Sequence, residues 1–410
     1  MLLALVSALA MSAPALAETP VAVRAIAVGP KLDVGAAESL ETFRSEIERL
    51  MTKAHREFAS DRPNLVVFGG SWDRLTLLLG PEHRTARSAA TREEAYEALR
   101  QAHAWEFLWT KATHWGLSDR RALWLTLGDR LYRPFVTTFA AAARRHRAYV
   151  LACTVAPDVD GLKPFQSMRT FPDRPVRVMG RDVFRKAFLF DPDGRLVGEV
   201  KQVALGGEDT DLTPGPRAYV HPFDLPFGKV GIVPGEDARD PALLADLDEQ
   251  GCRILLQPSD QSGAWAESTS SGDWHPKEWL DTTLGVLQAS QSQHVQYTVT
   301  PMPSGLYYDT LFDGQSAIMA RGDRPPSRLF VGVDSLEGEP FAEHRYHGEV
   351  LALSPWVVED PKFVHDSAGP ATSLTDRREY LRKVAHNLQR GGNRENQFVE
   401  SIATADLAVR

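Results

Sequence analysis

Short apolar runs alternate with amphipathic stretches along most of the chain. The run VAVRAIAVGP predicts a strand near the start, and the next segment places Leu40, Phe43, Ile47 and Leu50 at the spacing of an amphipathic helix. NLVVFGG then predicts a buried strand that leads into a loop. This alternation of strand and helix is typical of layered α/β proteins.

Turn and cap signals refine this pattern in the middle of the chain. Asp191-Pro192-Asp193-Gly194 joins two apolar runs and predicts an antiparallel hairpin. Farther on, DPALLADLDEQG predicts a helix with Asp240 as its N-cap, Pro241 at its first position and Gly251 after its end. The runs GKVGIVP and CRILLQPS predict strands on either side of that helix. Antiparallel strands are therefore expected beside the α/β alternation.

The region from about residue 72 to residue 133 is rich in Trp, Arg and Leu at helical spacing. Aromatic side chains are usually buried, so we expect those of this region to pack between helices rather than to form a ligand cage. The residues concerned are Trp105, Phe107, Trp109 and Trp115.

Composition narrows the class of protein. The chain has 410 residues, of which 43% are hydrophobic, and can therefore bury a substantial core. The chain has a net charge of −8, and its Lys and Arg residues are scattered rather than clustered. Both observations argue against a nucleic-acid partner. The histidines do not follow a metal-ligand spacing: His344 and His347 of HRYH fall in a polar loop. The sequence predicts neither a metal nor another cofactor.

The first residues predict export. The uncharged run MLLALVSALAMSAPALAE contains Ala15-Leu16-Ala17, a small-x-small pattern typical of signal-peptide cleavage, so residues 1–17 are predicted to be a signal peptide. The run is shorter than the roughly 20 residues that a membrane span needs, and no other stretch is long enough. We expect a secreted or periplasmic protein with no membrane span after signal removal.

Two cysteines, Cys153 and Cys252, lie in or beside apolar strand-like runs. An exported compartment permits a disulfide between them, although the sequence does not give the distance that a disulfide requires. Buried free thiols are the favoured interpretation, because free cysteines behave as small apolar residues.

The order of these segments resembles the nitrilase superfamily, the carbon-nitrogen hydrolases that cleave nitriles and amides. The landmarks are NLVVFGG, FDPDGRLVGEVKQVALGGED and FGKVGIVPGEDARDP, which occur in the family's order. The resemblance covers about residues 22–357 and implies an α/β fold, the four-layer αββα sandwich. Residues 358–410 are then a C-terminal extension that packs on the body or joins a homo-oligomer, an assembly common among nitrilase-like proteins.

The resemblance also implies a Glu-Lys-Cys triad, and all three members are replaced here. Gly70 stands at the glutamate position, Gln202 at the lysine position and Gly235 at the cysteine position, while Glu208 falls where the family has a second glutamate. Hydrolysis by this route needs a thiolate nucleophile, a base and a cation that stabilises the developing anion. The sequence therefore predicts that the thiol mechanism is lost.

Neighbouring residues offer partial substitutes. Lys201 is next to the lysine position, but successive side chains of a strand point to opposite faces, so we expect it to point away from the pocket. Asp237 matches an acidic position with a structural role in the family, and Glu208 or Glu236 can serve as a base for a water molecule. The candidate pocket residues are Trp72, Glu208, Glu236 and Asp237.

Three hypotheses follow. The chain is a pseudoenzyme that binds a small polar amide, nitrile or amine without converting it. Alternatively, it is a carbon-nitrogen hydrolase that acts on an amide or nitrile through water activated by a carboxylate. A third alternative is an oligomeric assembly protein. Whether the chain is an enzyme stays open at the level of sequence.

Overall fold

A computed structural model describes the chain from residue 21 to residue 409 with gaps. The described residues are 21–160, 176–207, 209–260, 263–264, 267–268, 274–275, 279, 281–289, 294–323, 347–354 and 399–409. The predicted signal peptide, Glu208, His344 and most of the predicted C-terminal extension lie outside the described residues.

Six strands of the described chain form the first sheet. From edge to edge they are β17 (Ser401–Val409), β1 (Val21–Gly29), β2 (Asn64–Ser71), β3 (Tyr149–Asp160), β4 (Arg177–Phe190) and β5 (Leu196–Lys201). β1, β2 and β3 are parallel, whereas β17, β4 and β5 pair antiparallel with their neighbours. All residues of β2 are buried, as expected for a parallel strand covered on both faces.

The second sheet also has six strands within the described ranges. From edge to edge they are β16 (Glu349–Leu353), β15 (Ala317–Ala320), β12 (Tyr297–Thr300), β8 (Ile254–Leu256), β7 (Gly228–Ile232) and β6 (Phe223–Leu225). β12, β8 and β7 are parallel, and the outer pairs are antiparallel. The sheet thus repeats the plan of the first, with three parallel strands between antiparallel ones.

Helices and short strands complete the described fold. The helices are α1 (Leu40–His55), α2 (Asp73–Thr76), α3 (Arg84–Arg87), α4 (Arg92–Ala102), α5 (Ala104–Thr113), α6 (Asp119–Thr126), α7 (Gly128–His146), α8 (Pro241–Glu249) and α9 (Val286–Ala289). A π-helical turn, Asp281–Gly285, precedes α9. The short strands are β9 (Gly263–Ala264), β10 (Glu267–Ser268), β11 (Trp274–His275), β13 (Ser304–Tyr307) and β14 (Thr310–Asp313). None of the helices in the described ranges is both long and apolar enough to cross a bilayer.

The two sheets pack face to face between helices. Val67 and Leu151 of the first sheet share one buried cluster with Ile254 and Val299 of the second. On the other face of the first sheet, Val66 and Phe68 pack in a cluster with residues of α1 and α7. Leu243, Leu244 and Leu247 of α8 complete the buried cluster of the second sheet. The predicted four-layer αββα sandwich is confirmed.

The hairpin and the helix that turn and cap residues predicted are both present. The Asp191 carboxylate accepts hydrogen bonds from the backbone N–H groups of Asp193 and Arg195, and the hairpin between β4 and β5 results. The Asp240 carboxylate caps α8 by accepting from the N–H groups of Ala242 and Leu243, at 3.0 and 3.1 Å.

The end of the chain is part of the first sheet. β17 pairs antiparallel with the whole of β1, from Val21 opposite Val409 to Gly29 opposite Ser401. Leu407 is fully buried in the cluster between the sheets. Because β17 covers one edge of β1, residues 401–409 protect backbone groups that would otherwise be open to pairing with another chain.

The prediction that Trp105, Phe107, Trp109 and Trp115 pack between helices is wrong for the three tryptophans among them. Trp105, Trp109 and Trp115 are 78%, 67% and 87% exposed. Helix α5 buries none of its residues, because the flanking helices α4 and α6 supply the contacts with the core. Only Phe107 of this group is partly buried against the core.

The preference for free cysteines is confirmed. Cys153 and Cys252 are both buried and unpaired with each other. Burial raises the pKa of both thiols, that of Cys252 to about 12. Both are therefore protonated at neutral pH and unreactive as nucleophiles.

Candidate ligand-binding site

A cavity of about 360 Å³ opens where the parallel strands of both sheets end. Ser71 closes β2, Gly235 follows β7, and Ser259 and Asp260 follow β8; all four line the cavity. Ligands of α/β sheets commonly bind at the carboxyl ends of parallel strands. The opposite wall comes from the helical region, through Arg92 and Tyr96 of α4 and residues of α6.

The position implied for a nucleophile lies on the cavity wall, and a side chain there would be crowded. Gly235 has a φ angle of +55°, a left-handed conformation that favours glycine. A Cβ atom here would lie 3.0 Å from Nε2 of Gln202 and 3.3 Å from the Arg185 guanidinium. The structure therefore brings Gly235 and Gln202 together and adds Arg185, which sequence reasoning missed.

The strand register explains which basic side chains reach this point. Arg185 lies on β4, and its carbonyl accepts the N–H of Gln202, just after β5. Lys186 and Lys201 face each other one position away, and both ammonium groups bind Asp158. Lys201 is not among the residues that line the cavity, so the prediction that it points away is confirmed.

Position 70 does not contribute to the wall. The Gly70 N–H donates to the carbonyl of Ser259 at 2.7 Å, and a Cβ atom at Gly70 would contact Pro303 at 3.4 Å. The next residue, Ser71, lines the cavity instead. Its hydroxyl donates to the buried Asp73 carboxyl.

Asp73 lies deep in the same wall. Its carboxyl also accepts the backbone N–H of Val155 at 3.2 Å. Burial raises the pKa of Asp73, while the positive charge of Arg74 opposes that shift. The group is thus driven towards its neutral form by the loss of water.

Ion pairs link arginines and carboxylates around the cavity. Arg74 binds Asp260 with two hydrogen bonds, and Arg185 binds Asp209 at 2.9 Å. Asp260 also lies 3.6 Å from Arg185, so this carboxylate joins the two arginines. Arg239 approaches Glu236 at 3.4 Å.

The predicted pocket residues lie in three different environments. Trp72 is 2% exposed and packs in the core against Phe43 and Phe68, away from the residues that line the cavity. Glu236 is on the wall. Asp237 lies behind it and is discussed next, and Glu208 lies outside the described residues.

Asp237 links two loops through hydrogen bonds. Its carboxylate accepts the backbone N–H groups of Val203 and Ala204, at distances from 2.6 to 3.1 Å. Burial raises the pKa of Asp237 to about 7, although these hydrogen bonds oppose the shift. The residue positions the turn after β7 against the segment after β5.

Most of the charged residues of the cavity wall were not identified from the sequence. They are Asp73, Arg74, Arg92, Arg120, Arg185, Asp209, Arg239 and Asp260. For Asp260 the sequence did contain a signal. Asp260 follows β8 just as Gly235 follows β7, so both residues are expected at the same end of the sheet. Arg185 becomes visible only through the pairing of β4 with β5, which the sequence does not specify.

The residues of the cavity wall can bind and polarise a ligand. The described wall lacks the groups that the thiol mechanism needs. The described wall carries no cysteine and no lysine. Guanidinium groups and indole or phenol groups can donate hydrogen bonds to an acceptor in the cavity. Within the described part of the chain, no three His, Cys, Asp or Glu side chains are placed to hold a metal ion together.

Known proteins similar to this chain are found only among solved structures. No protein-family model matches this chain, and no curated protein matches it. Among solved structures, a carbon-nitrogen hydrolase from Helicobacter pylori G27 is 14% identical, with 73% of this chain and 82% of that chain covered and a TM-score of 0.45.

Two further structures are similar. Nit3 from Saccharomyces cerevisiae, a member of branch 10 of the nitrilase superfamily, is 16% identical, covers 88% of this chain and 98% of that chain, and has a TM-score of 0.44. An amidase from Nesterenkonia sp. is 14% identical, covers 75% and 85%, and has a TM-score of 0.38. Nit3 and the Nesterenkonia amidase are both described as nitrilase superfamily proteins.

Proposed function

We propose that this chain is an exported pseudoenzyme of the carbon-nitrogen hydrolase type that binds a small polar ligand without converting it. The observation that carries the proposal is the state of the Gly235 position. Its side-chain space is filled by Gln202 and Arg185, yet a cavity of about 360 Å³ remains beside it. A concave, charged cavity of this size is of the kind that binds small polar ligands.

The chemistry supports loss of turnover. Neither Gly70 nor Gly235 has a functional side chain, and Gln202 has no charge. The Gln202 side-chain amide donates to the carbonyl of Ala204 and its oxygen accepts from Arg185. The residue that replaces the family's lysine is thus engaged within the protein.

A combined turnover and binding assay tests this function. The purified chain is incubated with a panel of amides and nitriles while ammonia release is followed, and the same compounds, together with amines and carboxylates, are screened by thermal shift. We expect no ammonia release and a raised melting temperature with at least one compound. Sustained turnover, or a screen in which nothing binds, would contradict the proposal.

A second candidate, hydrolysis by carboxylate-activated water, is favoured by one observation. The Arg185 guanidinium beside Gly235 supplies the cationic partner that the sequence alone did not offer, and Glu236 lies on the same wall. However, Arg185 is already paired with Asp209 and lies near Asp260, which offsets its charge.

Substitution distinguishes the two candidates. If the hydrolase hypothesis holds, Glu236→Gln abolishes ammonia release, whereas Glu249→Gln on the exposed end of α8 leaves it unchanged. We expect the unmutated chain to release no ammonia.

Export is tested by a separate experiment. Mass spectrometry of the secreted or periplasmic protein should find Glu18 at the N-terminus.

The assembly hypothesis is compatible with binding. We expect a homo-oligomer, and light scattering on the whole mature chain measures it directly. A truncation near residue 360 is a poor probe of this role, because it also removes β17, which pairs with β1 in the first sheet.

A further inference from the structure

The cavity wall is unusually rich in one kind of cation. Its described residues include five arginines, and every basic side chain on this part of the wall is an arginine: Arg74, Arg92, Arg120, Arg185 and Arg239. The guanidinium group is a planar fork of donors that matches carboxylate and phosphate oxygens, and it keeps its charge at any physiological pH.

The carboxyl groups of the wall offset only part of this charge. Three of them pair with arginines: Asp260 with Arg74, Asp209 with Arg185, and Glu236 with Arg239. The fourth, Asp73, is buried and bonded to Ser71 rather than to a guanidinium. Burial raises its pKa, and the positive charge of Arg74 opposes this shift.

Two arginines of the helical wall remain weakly engaged. The Arg92 side chain forms no ion pair with any of the described residues, and it is half-buried at the start of α4. Arg120 lies 3.6 Å from Glu93 and 3.5 Å from Asp211, which is longer than a hydrogen bond. Its guanidinium stacks over Tyr96 at 5.2 Å from the ring centroid. Both guanidinium groups therefore have N–H donors to offer a ligand, while the charge of Arg120 is partly offset by Glu93 and Asp211.

Two buried donors on the wall also lack acceptors. The Trp124 Nε1–H and the Arg185 Nε–H have no hydrogen-bond partner among the described residues. Trp124 is 6% exposed, so water does not readily satisfy its donor. Both nitrogen atoms are closed off from the cavity space, so a ligand would reach them only if the wall shifted, and the binding charge has to come from the arginines.

We propose that the cavity binds a small organic oxyanion, a molecule with a carboxylate or phosphate group, and that Arg92 and Arg120 supply the charge that holds it. This inference rests on the proposed binding function and names its ligand class. Tyr96, Trp124, Val155 and Leu212 provide apolar surface for the carbon part of the ligand. An amine is excluded as the preferred ligand, because a protonated amine carries the same positive charge as the arginine side chains of the wall.

Calorimetric titration of the whole mature chain tests the ligand class. The probes are acetate, succinate and inorganic phosphate, with acetamide and ethylamine as neutral and cationic comparisons. We expect at least one of the three anions to bind at least about tenfold more tightly than acetamide, since hydrogen bonds to charged groups are stronger than neutral ones. The succinate and phosphate arms distinguish a carboxylate from a phosphate ligand.

Matched variants test the assignment of residues. Arg92→Gln and Arg120→Gln should each weaken binding of the tightest anion by about tenfold or more. Arg195→Gln removes an arginine from the β4–β5 hairpin turn, which is not part of the cavity wall, and should leave binding unchanged. Circular dichroism and melting curves show whether each variant is folded.

The outcomes separate the two proposals. If acetamide or ethylamine binds and the anions do not, the oxyanion inference is overturned while the binding function stands. If no compound of any class binds, both fail. Anion binding that Arg92→Gln and Arg120→Gln leave unchanged, or that Arg195→Gln weakens equally, would show that the charge comes from elsewhere and overturn the assignment.

Discussion

At the scale of single residues, Gly235 is defined by its backbone and its neighbours together. The residue has positive φ, and Gln202 and Arg185 occupy the space that a side chain would need. A nucleophile at this position would therefore require both neighbours to move. The packing around position 235 therefore favours glycine.

We expect Gly235→Ala to destabilise the protein by about 2 kcal/mol. The left-handed conformation alone costs an alanine roughly 1–2 kcal/mol, and the 3.0 Å approach to Gln202 adds to that. Gly207→Ala is the matched control, because Gly207 lines the same cavity but has open space around it, and we expect a change within about 0.5 kcal/mol. Denaturant unfolding measures both, and equal effects would contradict this view of Gly235.

Asp237 gives a prediction about pH. Its pKa of about 7 in the folded protein lies above the ordinary value of 3.8, so the folded state binds the proton more tightly than the unfolded state. The stability from this proton is complete below about pH 4 and is lost as the pH rises through 7. Asn cannot titrate. Between pH 5 and pH 8, Asp237→Asn should therefore gain about 2 kcal/mol relative to the parent protein.

Unfolding by urea at several pH values measures this difference. Asp224→Asn, at an exposed position of β6, is the control and should differ from the parent by a constant amount. A difference for Asp237→Asn that does not change between pH 5 and pH 8 would refute the raised pKa.

At the scale of elements, β17 is the least expected part of the fold. The sequence places residues 401–409 in an extension, yet these residues form the edge strand next to β1. Their contribution depends on burial between the sheets, where Leu407 meets residues of both. The element therefore stabilises the body directly.

Leu407→Ala should cost about 2–4 kcal/mol of unfolding free energy, the usual penalty for truncating a fully buried leucine. Ala408→Ser changes the exposed neighbour in the same strand and should have little effect. Chemical denaturation monitored by circular dichroism gives both values. A neutral Leu407→Ala would mean that β17 does not pack as described.

The helical elements α4 to α6 show how function can depend on a region whose packing the sequence does not determine. Their amphipathic spacing predicted helices correctly, but it did not predict that α5 exposes Trp105 and Trp109. It also gave no indication that the flanking helices turn Arg92 and Arg120 towards the ends of the sheets.

At the scale of the whole molecule, the cavity depends on several layers at once. Its wall draws on the ends of strands in both sheets, on the segment after β5 and on the helical region. A ligand that binds there stabilises all of these parts relative to the unfolded chain. Ligand binding should therefore be visible in global unfolding.

At a concentration of 100 times its dissociation constant, the preferred oxyanion should add about 2.7 kcal/mol of stability and raise the melting temperature by several degrees. The shift should saturate with ligand concentration and be reduced in Arg92→Gln. Sodium chloride at the same ionic strength is the control. A shift that chloride reproduces would indicate a general salt effect rather than a site.

The sequence by itself predicted the layered architecture and placed Gly70, Gln202 and Gly235 at the positions that the resemblance assigns to the triad. Apolar periodicity specifies which faces are buried, and turn residues such as Asp191 and Asp240 act through neighbouring backbone groups, so both can be read locally. The residue types at positions 70, 202 and 235 likewise led to the prediction that the thiol mechanism is lost.

Only the tertiary structure decided what occupies the site. Arg185 reaches Gly235 because of the register of β4 against β5, and Arg92 and Arg120 reach the cavity because of how α4 and α6 pack. Contacts between residues distant in the chain depend on strand pairing and helix packing, which a single sequence leaves open. For the same physical reason β17 was recognisable as part of the body only once its pairing with β1 was known.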